Sequence, residues 1–170
     1  MELVTRFLKN TSQSFFLFGP IGTGKSLWAK AQIKDALYID FLNPETYRAY
    51  LAKPEQIIEL LEGSQKIHKV IIDEIQKVPG VLDAVQLLME KNKKIQFVLT
   101  GSSVRKLKQK GVNLLGGRAV LKFMHPFMAA ELGKKFSLKD ALQFGMLPLI
   151  WFSTDKDMSL KAYHALYLKE

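Results

Sequence analysis

The chain has 170 residues, of which 48% are hydrophobic and 24% charged, proportions that suit one soluble globular domain with a sizeable core. It contains no cysteine, which excludes disulfides, thiolate metal sites and cysteine nucleophiles and fits a reducing, cytoplasmic setting. The N-terminal residues lack a signal-peptide pattern, and no apolar run approaches the length of a membrane span, so no membrane partner is expected.

In chain order, Leu3, Phe7 and Leu8 suggest a short N-terminal helix. A strand at about 15–19 leads into a helix from Gly24 to roughly Ala36, and Leu37–Phe41 reads as a second strand. Pro44 and Glu45 look like the first turn of a helix, and Pro54 opens another that carries Ile57, Ile58, Leu60 and Leu61. A third strand follows at about 69–73. Pro79 starts a helix with Val81, Leu82, Val85, Leu88 and Met89 on one face. The fourth strand spans about 95–100, a basic helix 104–110, a glycine-containing loop 111–117 and a fifth strand 119–123. Alternating strands and helices predict right-handed βαβ crossovers, hence an α/β fold on a parallel five-stranded sheet. After Pro126 the pattern becomes helical: 127–132, 138–144, a break at Gly145-Met146-Leu147-Pro148, then 157–169 with Leu160, Tyr163, Leu166 and Tyr167 roughly on one face. Two segments are therefore expected, a core over 1–126 and a helical extension over 127–170. The extension ends at Glu170 without a C-cap signal and reads as the start of a further C-terminal region.

The chemistry begins where the first strand meets Gly19-Pro20-Ile21-Gly22-Thr23-Gly24-Lys25-Ser26. The pattern G-x-x-x-x-G-K-S between a strand and a helix is that of a phosphate-binding P-loop. Its backbone N–H groups can form a nest for phosphate oxygens, reinforced by the positive end of the helix. Lys25 can reach the β- and γ-phosphates, and the Ser26 hydroxyl can ligate Mg²⁺. Residues 19–26 together with Leu27 form the expected nucleotide-contacting set. The plainer alternative, a glycine-rich turn with a solvated lysine, needs no strand before it and no helix after it.

Val70-Ile71-Ile72-Asp73-Glu74 is an apolar run ending in two acids. Ligands of parallel α/β sheets lie outside the carboxyl ends of the strands, so Asp73 is expected beside the P-loop as a support for Mg²⁺. Glu74 can orient and polarise an attacking water. On its own the pair also suits a helix N-cap and first-turn acid. Thr100-Gly101-Ser102-Ser103 ends the fourth strand, where Thr100 and Ser102 can contact the γ-phosphate or the water; Ser103 can equally cap the next helix. Arg118, after Gly116-Gly117, can stabilise charge on the transferred phosphoryl in cis or from a neighbouring subunit of a homo-oligomer, unless it is a plain surface arginine.

The net charge of +9, with lysine concentrated at 91–94, 105–110 and 134–135, permits a nucleic-acid or acidic partner. No aromatic residue lies inside 105–110 to stack a base, and no helix-turn-helix or zinc-finger spacing appears, so solvated helix ends and loops explain the charge as well. His68, His125 and His164 share no metal-ligand spacing, and Trp28 and Trp151 suit packing.

These motifs, in this order, resemble P-loop ATPases with an additional strand between the P-loop strand and the acidic strand. Within them the chain is similar to prokaryotic AAA-type ATPases whose members usually carry a C-terminal domain of unknown function. The resemblance is carried by residues 19–26, by Val70–Pro79, by Leu99–Ser103, by Leu115-Gly116-Gly117-Arg118, by Pro126-Phe127 with Glu131-Leu132, and by Phe144–Pro148. It implies a three-layer core with sheet order 5-1-4-3-2. It further implies Lys25 and Ser26 as phosphate and Mg²⁺ residues, Asp73 as metal support, Glu74 as catalytic acid/base, Thr100 to Ser103 as the sensor region, and Arg118 as the arginine that approaches the γ-phosphate. Met146 stands where this group commonly has a small residue, and His125 is unusual before Pro126.

The expectation is an Mg²⁺-dependent ATPase acting as a switch or motor domain. ATP is preferred over GTP because no N-K-x-D run follows a strand. The alternative is a nucleotide-gated binding module with little turnover of its own. A small-molecule kinase is a third reading, against which the Asp73-Glu74 pair points to water as the acceptor.

Overall fold

Phe15–Phe18 is a strand, β1, in which every residue is buried, as expected where helices cover both faces of a parallel sheet. In the computed structural model, which describes residues 4–64, 66–109 and 115–167, four more strands pair with it. They are β2 (Leu37–Asp40), β3 (Lys69–Asp73), β4 (Gln96–Gly101) and β5 (Val120–Phe123). All pairings are parallel and the spatial order is β2-β3-β4-β1-β5, the five-stranded arrangement anticipated above. Register aligns Phe18 with Gly101 and Asp40 with Asp73. The loops after β1, β3 and β4 therefore leave the same edge of the sheet.

Alternation along the strands divides the core into two layers. Phe16, Phe18, Ile39, Phe41, Val70, Ile72, Phe97 and Leu99 form one continuous cluster. Buried residues of α2 (Pro44–Ala52), α3 (Gln56–Glu62), α4 (Val81–Lys91) and α5 (Val104–Gln109) pack into it. The opposite face carries Phe15, Leu17, Ile71, Val98 and the polar pair Asp73 and Thr100. There α1 (Lys25–Gln32) sets Trp28 edge-on against Phe15, ring centroids 6.2 Å apart. Trp28 thus has the packing role expected of it.

By packing, the chain forms two compact units. One holds Asn10–Gly19 and Lys25–Phe123, hence the whole sheet; the other gathers the N-terminal residues through Lys9, the short stretch Pro20–Gly24 and the chain from Met124 onward. The second unit has a small core of Phe127, Leu132 and Trp151. It contains α6 (Ala129–Leu132), α7 (Leu138–Phe144), α8 (Pro148–Trp151) and α9 (Lys156–Tyr167). Of the sequence-derived elements, α8 was unforeseen: Pro148 supplies the fixed φ of a first helical turn after Gly145 breaks α7 at φ 73°. On α9, Leu160 and Tyr163 are half-buried while Leu166 is exposed.

No helix forms at residues 4–9. The Phe7 N–H donates to Glu131 Oε1 at 2.8 Å and Arg6 is drawn into the same site, so tertiary bonds consume groups a helix would have used. The first helix stops at Gln32 rather than near Ala36, and Asp35 adopts a left-handed conformation with φ 56°. Leu3, residues 110–114 of the expected basic helix and loop, and residues 168–169 of the expected terminal helix lie outside the described residues. No helix among the described residues is long and apolar enough to cross a membrane.

Candidate nucleotide site

Lys25 opens α1 and its side chain is almost fully buried. Its Nζ donates to the Gly19 carbonyl at 2.7 Å, folding back on the start of the loop. Burial pushes the ammonium pKa down, while the negative charges of Glu74 and Asp73 pull it up and leave a net lowering. Those charges reach Lys25 because β1 and β3 end at the same edge of the sheet. Ser26 follows in the first turn of α1, half-buried, and Leu27 points out, 53% exposed.

The loop itself depends on glycine. Gly22 and Gly24 have φ of 82° and 90°, values that favour a residue without Cβ. A Cβ on Gly22 would also lie 2.8 Å from Leu149 Cβ, and the Leu149 N–H donates to the Gly22 carbonyl at 3.2 Å. Thr23 is fully buried: its hydroxyl donates to the Pro20 carbonyl at 2.8 Å and closes the turn. Arg6 Nη1 donates to the Thr23 carbonyl at 3.0 Å. The same guanidinium meets both oxygens of Glu131 at 3.1 Å and the carbonyls of His125 and Pro126. Arg6 is a structural residue that the sequence pattern did not reveal, since nothing local marks it.

Asp73 ends β3 and is 2% exposed, with both oxygens engaged. The Thr100 hydroxyl donates to Oδ1 and the Tyr38 hydroxyl to Oδ2. Thr100 also accepts from the Glu74 N–H at 3.2 Å. Thr100 is fully buried. From the end of β4 it positions the two acids. Asp40, at the end of β2, turns its Oδ1 onto the Leu42 N–H at 2.8 Å and shapes its own loop.

Glu74 sits in the left-handed region at φ 59°, ψ 48°, a conformation that costs an ordinary residue about 1–2 kcal/mol. It does not open a helix as a side-chain cap. Its carboxylate is held from the other side by Gln76, whose Nε2 donates to Glu74 Oε2 and reaches Ser102 Oγ at 3.2 Å. A Cβ on Gly101 would lie 2.7 Å from Gln76 Oε1, so the glycine makes room for this link. Tyr38 is a site residue that motif reading passed over, visible only when β2 and β3 are side by side. Gln76 lies within the Val70–Pro79 run but was given no role of its own; its link to Ser102 appears only when β3 and β4 are adjacent.

Arg118 is the sequence-predicted residue that the fold does not bring to this cluster. It precedes Val120, which pairs with Phe15 at the amino end of β1, whereas Lys25 follows the carboxyl end. Three residue steps at about 3.3 Å put about 10 Å of strand between the two ends. Arg118 instead pairs with Glu90, Nη2 to Oε1 2.8 Å, at a largely exposed position. Within one chain it does not approach the acids. Among the described residues no group of three or more His, Asp or Glu could hold a metal ion by itself, so a cation here would need phosphate oxygens beside Ser26 and Asp73.

A family model for the AAA domain matches residues 11–133, well over half of the chain. The chain belongs to the AAA domain family. It is a P-loop nucleotide-binding module of that type. No curated protein matches the sequence of this AAA domain. Among solved structures it is similar to domain III of the Thermotoga maritima replication initiation protein DnaA, at 14% identity, covering 92% of this chain and 75% of that one, with a TM-score of 0.43.

Proposed function

We propose that this AAA domain binds ATP with Mg²⁺ through residues 19–27 and hydrolyses it, acting as a switch or motor domain. The observation that carries the reading is the convergence of Lys25, Asp73 and Glu74: two carboxylates act electrostatically on a buried lysine that opens the helix after the P-loop. The backbone N–H groups of the loop would cradle the phosphates. Lys25 would exchange the Gly19 carbonyl for phosphate oxygens. Ser26 and Asp73 would hold Mg²⁺, which when bound neutralises charge on the β- and γ-phosphates. Glu74, fixed by the Thr100 hydroxyl and by Gln76, would accept a proton from the attacking water. Ser102, tied to Glu74 through Gln76, would report the γ-phosphate to β4.

The placement of Arg118 favours a second reading, a nucleotide-gated module with slow turnover until a partner subunit supplies an arginine. Association with nucleic acid and a cytoplasmic setting remain proposals resting on the charge and the lack of cysteine. The test is equilibrium binding of fluorescent ATP and GTP analogues to the parent and to Lys25→Ala. The expected result is Mg²⁺-dependent binding of the ATP analogue, lost in Lys25→Ala and weaker for GTP. Equal binding by both proteins would overturn the assignment.

A further inference from the structure

Ser26 and Asp73 belong to elements that meet across the face of the sheet, and the residue between them is a tyrosine. Tyr38, on β2, donates its hydroxyl proton to Asp73 Oδ2. The Ser26 hydroxyl hydrogen-bonds the same phenol. One helical turn beyond Ser26, Lys30 stacks its ammonium 3.8 Å from the centre of the Tyr38 ring. The phenol is thus clamped at its tip by Ser26 and Asp73 and across its ring by α1.

We infer that Tyr38 is a positioning residue of the Mg²⁺ site, a relay that takes the hydrogen bond of Ser26 and passes it to Asp73. The inference rests on the reading that Ser26 and Asp73 hold Mg²⁺. A serine hydroxyl that ligates a cation must turn a lone pair to the metal and give its proton elsewhere. In this chain the acceptor for that proton is the Tyr38 oxygen. Tyr38 in turn donates to one carboxylate oxygen while Thr100 donates to the other, so the rotation of the Asp73 carboxylate is fixed from both sides. The direction of the chain is Ser26 to Tyr38 to Asp73.

The test separates metal from nucleotide. Binding of a fluorescent ATP analogue is titrated with Mg²⁺ and, in parallel, measured in EDTA, for the parent, Tyr38→Phe and Tyr38→Leu. Loss of an orienting partner of a metal ligand typically weakens metal affinity at least 10-fold, so both variants should need about 10-fold more Mg²⁺ for half-maximal effect. Their affinity in EDTA should match the parent, which also reports that they are folded. Direct titration with Mn²⁺, followed by its paramagnetic resonance in the presence of nucleotide, should show the same loss. A Tyr38→Phe protein with the parent's Mg²⁺ requirement would overturn the relay, and so would a defect confined to Tyr38→Leu, which would implicate ring bulk alone. Failure of the parent to bind nucleotide, or to respond to Mg²⁺, would overturn the underlying reading instead.

Discussion

Adding a single methyl group at Gly101 should perturb the acid pair without touching it. Gly101 ends β4, and its backbone is not in the left-handed region, so alanine is sterically admissible in isolation. The new Cβ would lie 2.7 Å from Gln76 Oε1 and 3.1 Å from the Phe18 ring. Overpacking of this kind costs about 1–3 kcal/mol, while replacing glycine at an unstrained site returns about 0.4–1 kcal/mol through the unfolded chain. The net expectation for Gly101→Ala is a loss of about 1–2 kcal/mol. At about 2–4 °C per kcal/mol for a chain of this size, the melting temperature should fall by about 2–8 °C. The decisive comparison adds Gln76→Ala. Removing the amide abolishes the closer contact and leaves only the Phe18 contact, so the double variant should exceed the sum of the singles by about 1 kcal/mol. Urea unfolding followed by Trp28 fluorescence in a Trp151→Phe background reads the sheet unit directly. Additive effects, or an unshifted Gly101→Ala transition, would refute the packing of Gln76 over Gly101.

Glu131 carries the clearest pH dependence in the second unit. Burial alone would raise its pKa, but hydrogen bonds from the Phe7 and Met128 N–H groups and the Arg6 guanidinium outweigh this and hold the carboxyl below the usual carboxylate range. Its stabilisation is therefore fully present above the ordinary carboxylate value and is lost as pH falls through the lowered folded value. The side chains are only 3% and 10% exposed for Glu131 and Arg6, so Glu131→Gln should cost about 3 kcal/mol at neutral pH. It should also flatten the acid limb of a stability–pH curve measured by Trp151 fluorescence; an unchanged limb would contradict the assignment. The Arg118–Glu90 pair is 40% and 47% exposed, so Arg118→Ala should change stability by less than about 1 kcal/mol. Its turnover per chain should equal the parent's at high dilution and fall below it only at concentrations where chains associate, whereas a defect at all concentrations would place the arginine in cis.

Much of the fold was legible because parallel strands buried on both faces are near-continuous apolar runs. Phe15–Phe18 and Val70–Ile72 stand out against helices whose apolar residues recur at helical spacing. Lys25, Ser26, Asp73 and Glu74 were readable for a different reason: their spacing is local and tied to one strand–loop–helix unit and one strand end. Arg6 and Tyr38 escaped because their partners are remote in sequence, and the role of Gln76 because its second partner, Ser102, lies just past the end of the neighbouring strand. Arg6 reaches Glu131 over 125 residues, and Tyr38 reaches Asp73 over 35. Thr100 was readable as the end of the fourth strand, but its bonds to Asp73 and Glu74 were not, since both partners lie 26 or more residues away. Arg118 shows the same limit in reverse: its position before a strand is readable, but only the register of β5 on β1 shows that it lies at the far end of the sheet.

The central claim is that Glu74 acts on water at a nucleotide held by Lys25. The most direct test compares Mg²⁺-ATP hydrolysis by the parent and by Glu74→Gln across a range of protein concentrations, with nucleotide affinity measured on the same samples. The account predicts unchanged affinity and a loss of turnover of about 100-fold or more in Glu74→Gln, the usual contribution of a positioned acid/base. Equal turnover by the two proteins, with nucleotide bound to both, would contradict it.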